Sequence, residues 1–80
     1  DRDDIRRAVW VRDNYRCILY GSRHPRVPVC GGILTVHHLR KASAGGPFTM
    51  ENLVTCCWDH NRWIEDEPRL ATELGLVDRG

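Results

Sequence analysis

Two adjacent histidines, His37 and His38, close the apolar run "ILTVHHL" and precede the flexible stretch "RKASAGG". A histidine has an ordinary pKa of about 6.5, so at neutral pH it can accept a proton from water or offer a neutral nitrogen to a cation. Downstream, "CCWDHN" offers Cys57 and His60 at C-x2-H spacing, with Asn61 directly after them. A thiolate and an imidazole so spaced on a tight turn can reach one Zn²⁺, and two further ligands must come from elsewhere. Cys17 and Cys30 are the best pair for that; Cys30 opens "CGG", where glycine lets the backbone bend round the sulfur as in half a zinc knuckle. Twelve residues separate the two cysteines, more than the usual two to four or so. His24 is therefore an alternative partner for Cys17, and Cys56 an alternative to Cys57 by a C-x3-H count. Buried reduced thiols and disulfides are the competing readings of four cysteines.

Neighbouring side chains on an unbroken strand point to opposite faces. A bend at the strand end is therefore expected to bring His37 and His38 to the rim of one pocket. Asn61, in the first turn of the following helix, is placed to add a third polar group there. With His60 beside it in the zinc set, the two sites would be neighbours.

The elements that must position these residues follow from pattern. "DRDDIRRAVWVRDNYRC" begins with acidic residues suited to a helix N-terminus and spaces Ile5, Ala8, Val9 and Arg12 along one face, predicting a helix from about Asp3 to Asn14. Its other face carries Arg2, Arg6, Arg7 and Arg16. Gly21, Pro25 and Pro28 make the stretch between Cys17 and Cys30 a loop. "ILTVHHL" predicts a strand, "RKASAGGPFTMEN" a long surface excursion, and "LVTCC" a second strand antiparallel to the first. A helix is expected from about Trp58, and Pro68 and Gly75 bracket one more. Residues 33 to 65 thus read strand, loop, strand, helix. Trp10, Trp58 and Trp63 are expected as core filling.

Eighty residues predict one small domain, short enough to need a staple. The net charge is only +1, but residues 1–41 hold nine Arg or Lys against four Asp or Glu, and residues 42–80 three against seven. A polyanion would meet mainly the first half, through arginines that grip phosphate with two donors at once. No run of about 18 apolar residues offers a membrane span. Reduced and cytoplasmic is the expected setting.

The blocks "RDNYRC", "LTVHHLRKASAGG", "MENLVTCC" and "HNRWIE" resemble, in that order and at these distances, the successive motifs of the HNH endonuclease family over about residues 12 to 65. "EDEPRLATELGLV" is similar to the tail helix of small phage-type members. The resemblance implies an α+β fold, a small ββα-metal (His-Me finger) domain with flanking helices and a structural zinc site. It places His38 as general base, His37 and Asn61 as ligands of a catalytic divalent cation, and Asn52 as the central asparagine that steadies the loop and the catalytic histidine. It makes Cys17, Cys30, Cys57 and His60 the structural zinc ligands. His60 stands where the family has its last zinc cysteine, and Tyr20 where a cysteine near Cys17 would be. Arg40, Lys41 and Arg62 flank the site and could hold DNA phosphates.

The expected activity is metal-dependent cleavage or nicking of duplex DNA with Mg²⁺ or Mn²⁺, or with Ni²⁺ or Co²⁺, leaving 5′-phosphate and 3′-hydroxyl ends. The competing reading is a zinc-stapled module that binds DNA or protein without cutting. A third is a nuclease domain belonging to a larger targeting protein. The family likeness suggests work on phage DNA in a bacterial cell.

Overall fold

A two-stranded ribbon is marginal by itself in water and must be covered on both faces. The structure, a computed structural model describing residues 1–78, covers it with helices from either end of the sequence. Strand β1 (Leu34–His38) pairs antiparallel with β2 (Leu53–Cys57), Leu34 opposite Cys57 and His38 opposite Leu53. Helix α1 (Arg2–Arg12) lies on one face of this ribbon, and α2 (Trp58–Asp66) with α3 (Pro68–Glu73) on the other. The result is a small α+β fold of radius of gyration 12.0 Å.

Helix α1 starts where charge and capping favour it. The Asp1 carboxylate accepts from the Asp4 amide at 3.0 Å, and Asp3 and Asp4 fill the first turn. It ends at Arg12, two residues before the predicted end, because the Asp13 side chain is committed elsewhere. That carboxylate pairs with Arg12 at 2.8 Å and accepts from the Thr55 amide of β2 at 3.0 Å. Arg12 in turn donates to the carbonyls of Met50 at 2.6 Å and Leu53 at 2.7 Å. Trp10 adds an indole hydrogen bond to the Thr35 carbonyl at 3.1 Å. After this latch Asn14 and Tyr15 both take left-handed φ values, 58° and 55°, an uncommon choice for an aromatic residue that reverses the chain toward Cys17.

The start of α2 is satisfied by the Cys30–Ile33 turn. The amides of Trp58 and Asp59 donate to the carbonyls of Ile33 (2.8 Å) and Gly31 (3.1 Å), and the His60 amide to Cys57 Sγ at 3.4 Å. Three of the orphan donors of a helix N-terminus are thereby used. Gly32, at φ +81°, approaches Trp58 so closely that an added Cβ would lie 2.8 Å from the Trp58 Cβ. Pro68 opens α3 as expected. The helix closes in a Schellman motif, with Gly75 at φ +78° and amide bonds from Leu76 to Ala71 (2.9 Å) and from Gly75 to Thr72 (3.0 Å).

The core is short of large aliphatics. Cys17, Cys56 and Cys57 are three of the six buried residues in the cluster that Ile64, Ala71 and Leu76 complete, so the cysteines are packing material as well as candidate ligands. Trp63 packs against this cluster and Trp10 is partly buried, but Trp58 is 49% exposed and does not fill the core as expected. As the first residue of α2 its side chain projects past the Gly32 turn into solvent. No helix among the described residues is long and apolar enough to cross a membrane.

The Asp13 latch makes a pH-dependent contribution. Hydrogen bonding from Arg12, opposed by burial and aided by Thr55, holds the carboxyl at about 2, below its ordinary value of 3.8. A depressed folded-state pKa stabilises above the unfolded value and loses that stability as pH falls toward 2. Asp13→Asn is expected to cost roughly 1 to 2 kcal/mol at pH 7, allowing for the screening of a partly exposed carboxylate. Urea denaturation from pH 7 to pH 2.5 should show the gap from the parent shrinking with acid; a constant gap would contradict this account.

Candidate functional site

Four ligand atoms from Cys17, Cys30, Cys57 and His60 lie within 4.8 Å of one another. The left-handed reversal after α1 delivers Cys17, the glycine turn delivers Cys30, and the junction of β2 with α2 delivers Cys57 and His60. His60 Nδ1 stands 3.3 Å from the sulfur of Cys17, 3.5 Å from that of Cys30 and 3.2 Å from that of Cys57. A tetrahedral Zn²⁺ with ordinary bond lengths would hold nitrogen and sulfur about 3.6 Å apart. The three nitrogen–sulfur distances lie within about 0.4 Å of that value.

Its surroundings fit a cation too. The other ring nitrogen of His60 lies 2.5 Å from the Pro28 carbonyl, which can only accept, so Nε2 carries the proton and Nδ1 is left as a ligand. Backbone amides of Leu19 and Gly31 point at the sulfurs of Cys17 (3.4 Å) and Cys57 (3.5 Å). Hydrogen bonding from Cys56, against the cost of burial, lowers the Cys17 thiol to about 4. Cys30 goes the other way, to about 12, through desolvation and then the charge on Cys17. Charge on the Cys17 sulfur thus opposes ionisation of its neighbour Cys30, and a dication among the sulfurs would relieve that repulsion. The Cys/His cluster can therefore bind a structural metal such as zinc.

The alternatives weighed for this set fall outside it. His24 Nδ1 accepts from the Arg26 amide at 3.1 Å within its own turn. Cys56 is fully buried on the opposite face of β2 from Cys57, as strand alternation requires. All four cysteines are free thiols, with no disulfide.

The second group surrounds a cavity of about 310 Å³ lined by His37, His38, Lys41, Ser43, Asn61 and Glu65, among others. No bend brings the histidines together, because β1 runs through both. His37 shares the face under α2 and α3, and is 5% exposed, with Nε2 2.6 Å from the Leu76 carbonyl. His38 takes the α1 face, edge-on to Phe48 at 5.6 Å between ring centroids. The cavity wraps the strand end and so touches both. Burial, then the proximity of His37 and of Arg2, lowers the His38 pKa below its ordinary 6.5.

Comparison of the chain with known family models, with curated proteins and with solved structures yields no match.

Asn61 donates through Nδ2 to Thr35 Oγ1 (2.8 Å) and to the Val36 carbonyl (3.2 Å), which commits its amide nitrogen to β1. Asn52 lies outside the cavity and crimps the loop beside it. Its Oδ1 accepts from the Arg40 amide at 2.9 Å, and its Nδ2 donates to the carbonyls of Arg40 (3.1 Å) and Pro47 (3.0 Å). Lys41 lines the cavity and pairs with Glu65 at 3.8 Å, whereas Arg40 and Arg62 are exposed and are not among its lining residues. Glu65, Thr35 and Phe48 also belong to these surroundings and are not among the residues expected there from sequence. Spacing offered a signal for the first two, since Glu65 follows Asn61 by one helical turn and Thr35 precedes His37 by one strand repeat. Among the described residues, no second group of three His, Cys, Asp or Glu ligands gathers as the first does.

The cluster yields a direct test. The protein is expected to bind one equivalent of zinc. Cys57→Ser or His60→Ala should lose the metal and the cooperative melt, because a structural zinc contributes on the order of 10 kcal/mol and the domain's total is of similar size. Cys56→Ala should keep the metal and lose about 1 to 2 kcal/mol of packing. Metal analysis beside circular dichroism melts reads all three; zinc retained at full occupancy by His60→Ala would exclude this ligand set.

Proposed function

We propose that this protein is a metal-dependent DNA endonuclease of the HNH type, with a ββα-metal core about residues 33–65 and a structural zinc. One observation carries the reading: His37, His38 and Asn61 line the same cavity. The hydrogen bonds of His37 Nε2 and Asn61 Nδ2 leave His37 Nδ1 and the Asn61 carbonyl oxygen as the two donors available to a cation. That pair suits a divalent ion which keeps open positions for water and phosphate oxygens, as Mg²⁺, Mn²⁺, Ni²⁺ or Co²⁺ can. Bound there, the ion would supply charge stabilisation for the phosphate and for the departing 3′ oxygen.

The residues divide the remaining work. His38, kept neutral by its desolvated place beside Phe48, takes the proton from the attacking water. The water oxygen bonds to phosphorus, the bond to the 3′ oxygen breaks, and that oxygen gains a proton from solvent, leaving 5′-phosphate and 3′-hydroxyl ends. Asn52 holds the loop that follows β1 and with it the position of His38. Lys41 at the cavity, with Arg40 and Arg62 exposed nearby in sequence, is assigned to flanking phosphates, which would make binding salt-sensitive without reading sequence.

A second reading is favoured by the contrast between the two groups: only the Cys/His set gathers three or more strong ligands among the described residues. On that reading the chain is a zinc-stapled module that binds DNA or a protein without cutting. A plasmid-nicking assay separates the two. Zinc-loaded protein is expected to relax supercoiled DNA with Mg²⁺, Mn²⁺ or Ni²⁺, and a folded His38→Ala variant to be slower by about 10² or more. Absence of cleavage with every metal would leave the binding module as the function.

A further inference from the structure

Outside the residues assigned above, one contact to the proposed site comes from a distant part of the chain. His37 is buried, and its Nε2 meets the carbonyl oxygen of Leu76 at 2.6 Å. A carbonyl has no proton to give, so the bond requires the proton on Nε2, and in the neutral ring this leaves the lone pair on Nδ1. His60 is held in the same way by the Pro28 carbonyl, with Nδ1 turned to the three sulfurs. The chain thus uses the same device on both histidines that face a candidate cation.

The Leu76 carbonyl is fixed from three directions. The Schellman closure of α3 bonds the Leu76 amide to Ala71 at 2.9 Å, and Gly75 at φ +78° lets the chain turn there. The Leu76 side chain is 3% exposed in the cluster with Ile64 and Ala71. Two residues on, the Asp78 amide donates to the Leu39 carbonyl at 2.7 Å, tying the segment to the exit of β1 on the far side of His37. A segment that only capped α3 would not need to span the histidine in this way.

We infer that residues 75–78 are a positioning element for His37: the Leu76 carbonyl sets the imidazole as the Nε2–H tautomer and leaves Nδ1 as the cation-binding atom. This rests on the proposed role of His37 as a ligand of the catalytic ion, and it assigns to the C-terminal segment a part in cation affinity. Carbonyl or carboxylate partners of metal-binding histidines are typically worth about 10- to 100-fold in affinity or activity.

Gly75 supplies the handle, because its conformation suits Gly or Asn and opposes a β-branched residue. Gly75→Val is expected to raise the Mn²⁺ concentration for half-maximal nicking by about 10-fold or more and to lose the single Nε2–H signature of the His37 ring nitrogens in ¹⁵N NMR. Gly75→Asn should match the parent in both, and zinc content and the His60 ring signals report that the fold is intact. If Gly75→Val does not fold, Asp78→Pro, which removes the amide bonded to Leu39, is measured in the same way. A folded variant that keeps the tautomer and a half-saturation within about 3-fold of the parent overturns the inference. The NMR reading and Mn²⁺ broadening of the His37 signals need no DNA. A parent that never nicks but binds Mn²⁺ at His37 only while the segment is in place would remove the nuclease and keep the positioning role.

Discussion

The imidazole of His60 is the knot on which the remaining geometry hangs. One nitrogen meets three sulfurs brought from the end of α1, from the glycine turn and from the end of β2, while the other is held by Pro28. Because the glycine turn also supplies carbonyls to the first amides of α2, the position of that helix is set by the same few residues. Asn61 is the next residue along, and its side chain bonds back to β1 at Thr35 and Val36. A domain this small cannot fix such a chain of contacts by aliphatic packing alone, and here Cys17 and Cys57 of the cluster are themselves two of the six core residues, beside Cys56, Ile64, Ala71 and Leu76.

Two identical side chains adjacent in sequence acquire different characters from the alternation of the strand. His37 looks toward the helices that follow β2, is buried and bonds to a carbonyl. His38 looks toward α1, beside an aromatic ring over which Arg2 and Arg6 also lie, at 4.8 and 5.6 Å from the ring centre. One has its Nε2 proton directed by a partner that can only accept. The other is biased toward neutrality by desolvation and by nearby positive charge. The strand produces this difference without a kink.

Local chemistry explains what the sequence disclosed. The β-branched and cysteine content of "LVTCC", the proline opening α3 and the glycine closing it each act within a few residues, and those elements lie where the pattern puts them. Cys57 and His60 were legible for a similar reason, since they carry their spacing with them, whereas the twelve residues between Cys17 and Cys30 left His24 as an alternative, as Cys56 was for Cys57. Long-range commitments were not legible. Helix α1 stops early because Asp13 serves β2, Trp58 is exposed because a turn nearly thirty residues upstream occupies the space beneath it, and the partner of His37 is a main-chain oxygen, to which any residue could have given its name. Backbone atoms leave no signature in composition or spacing.

The crimped loop after β1 has a further consequence. One Asn52 side chain joins Arg40 to Pro47 through three hydrogen bonds, the Gly46 amide closes onto the Lys41 carbonyl at 2.9 Å, and a Cβ on Gly46 would overlap the Arg40 carbonyl. A rim stitched in this way does not fold down over an occupant, so the cavity is a notch rather than a chamber. Small molecules are usually gripped by enclosure on most sides. On the nuclease reading proposed above, a notch suits one link of something long, which enters from the side, is held by what extends beyond it in both directions, and leaves without waiting for a door to open.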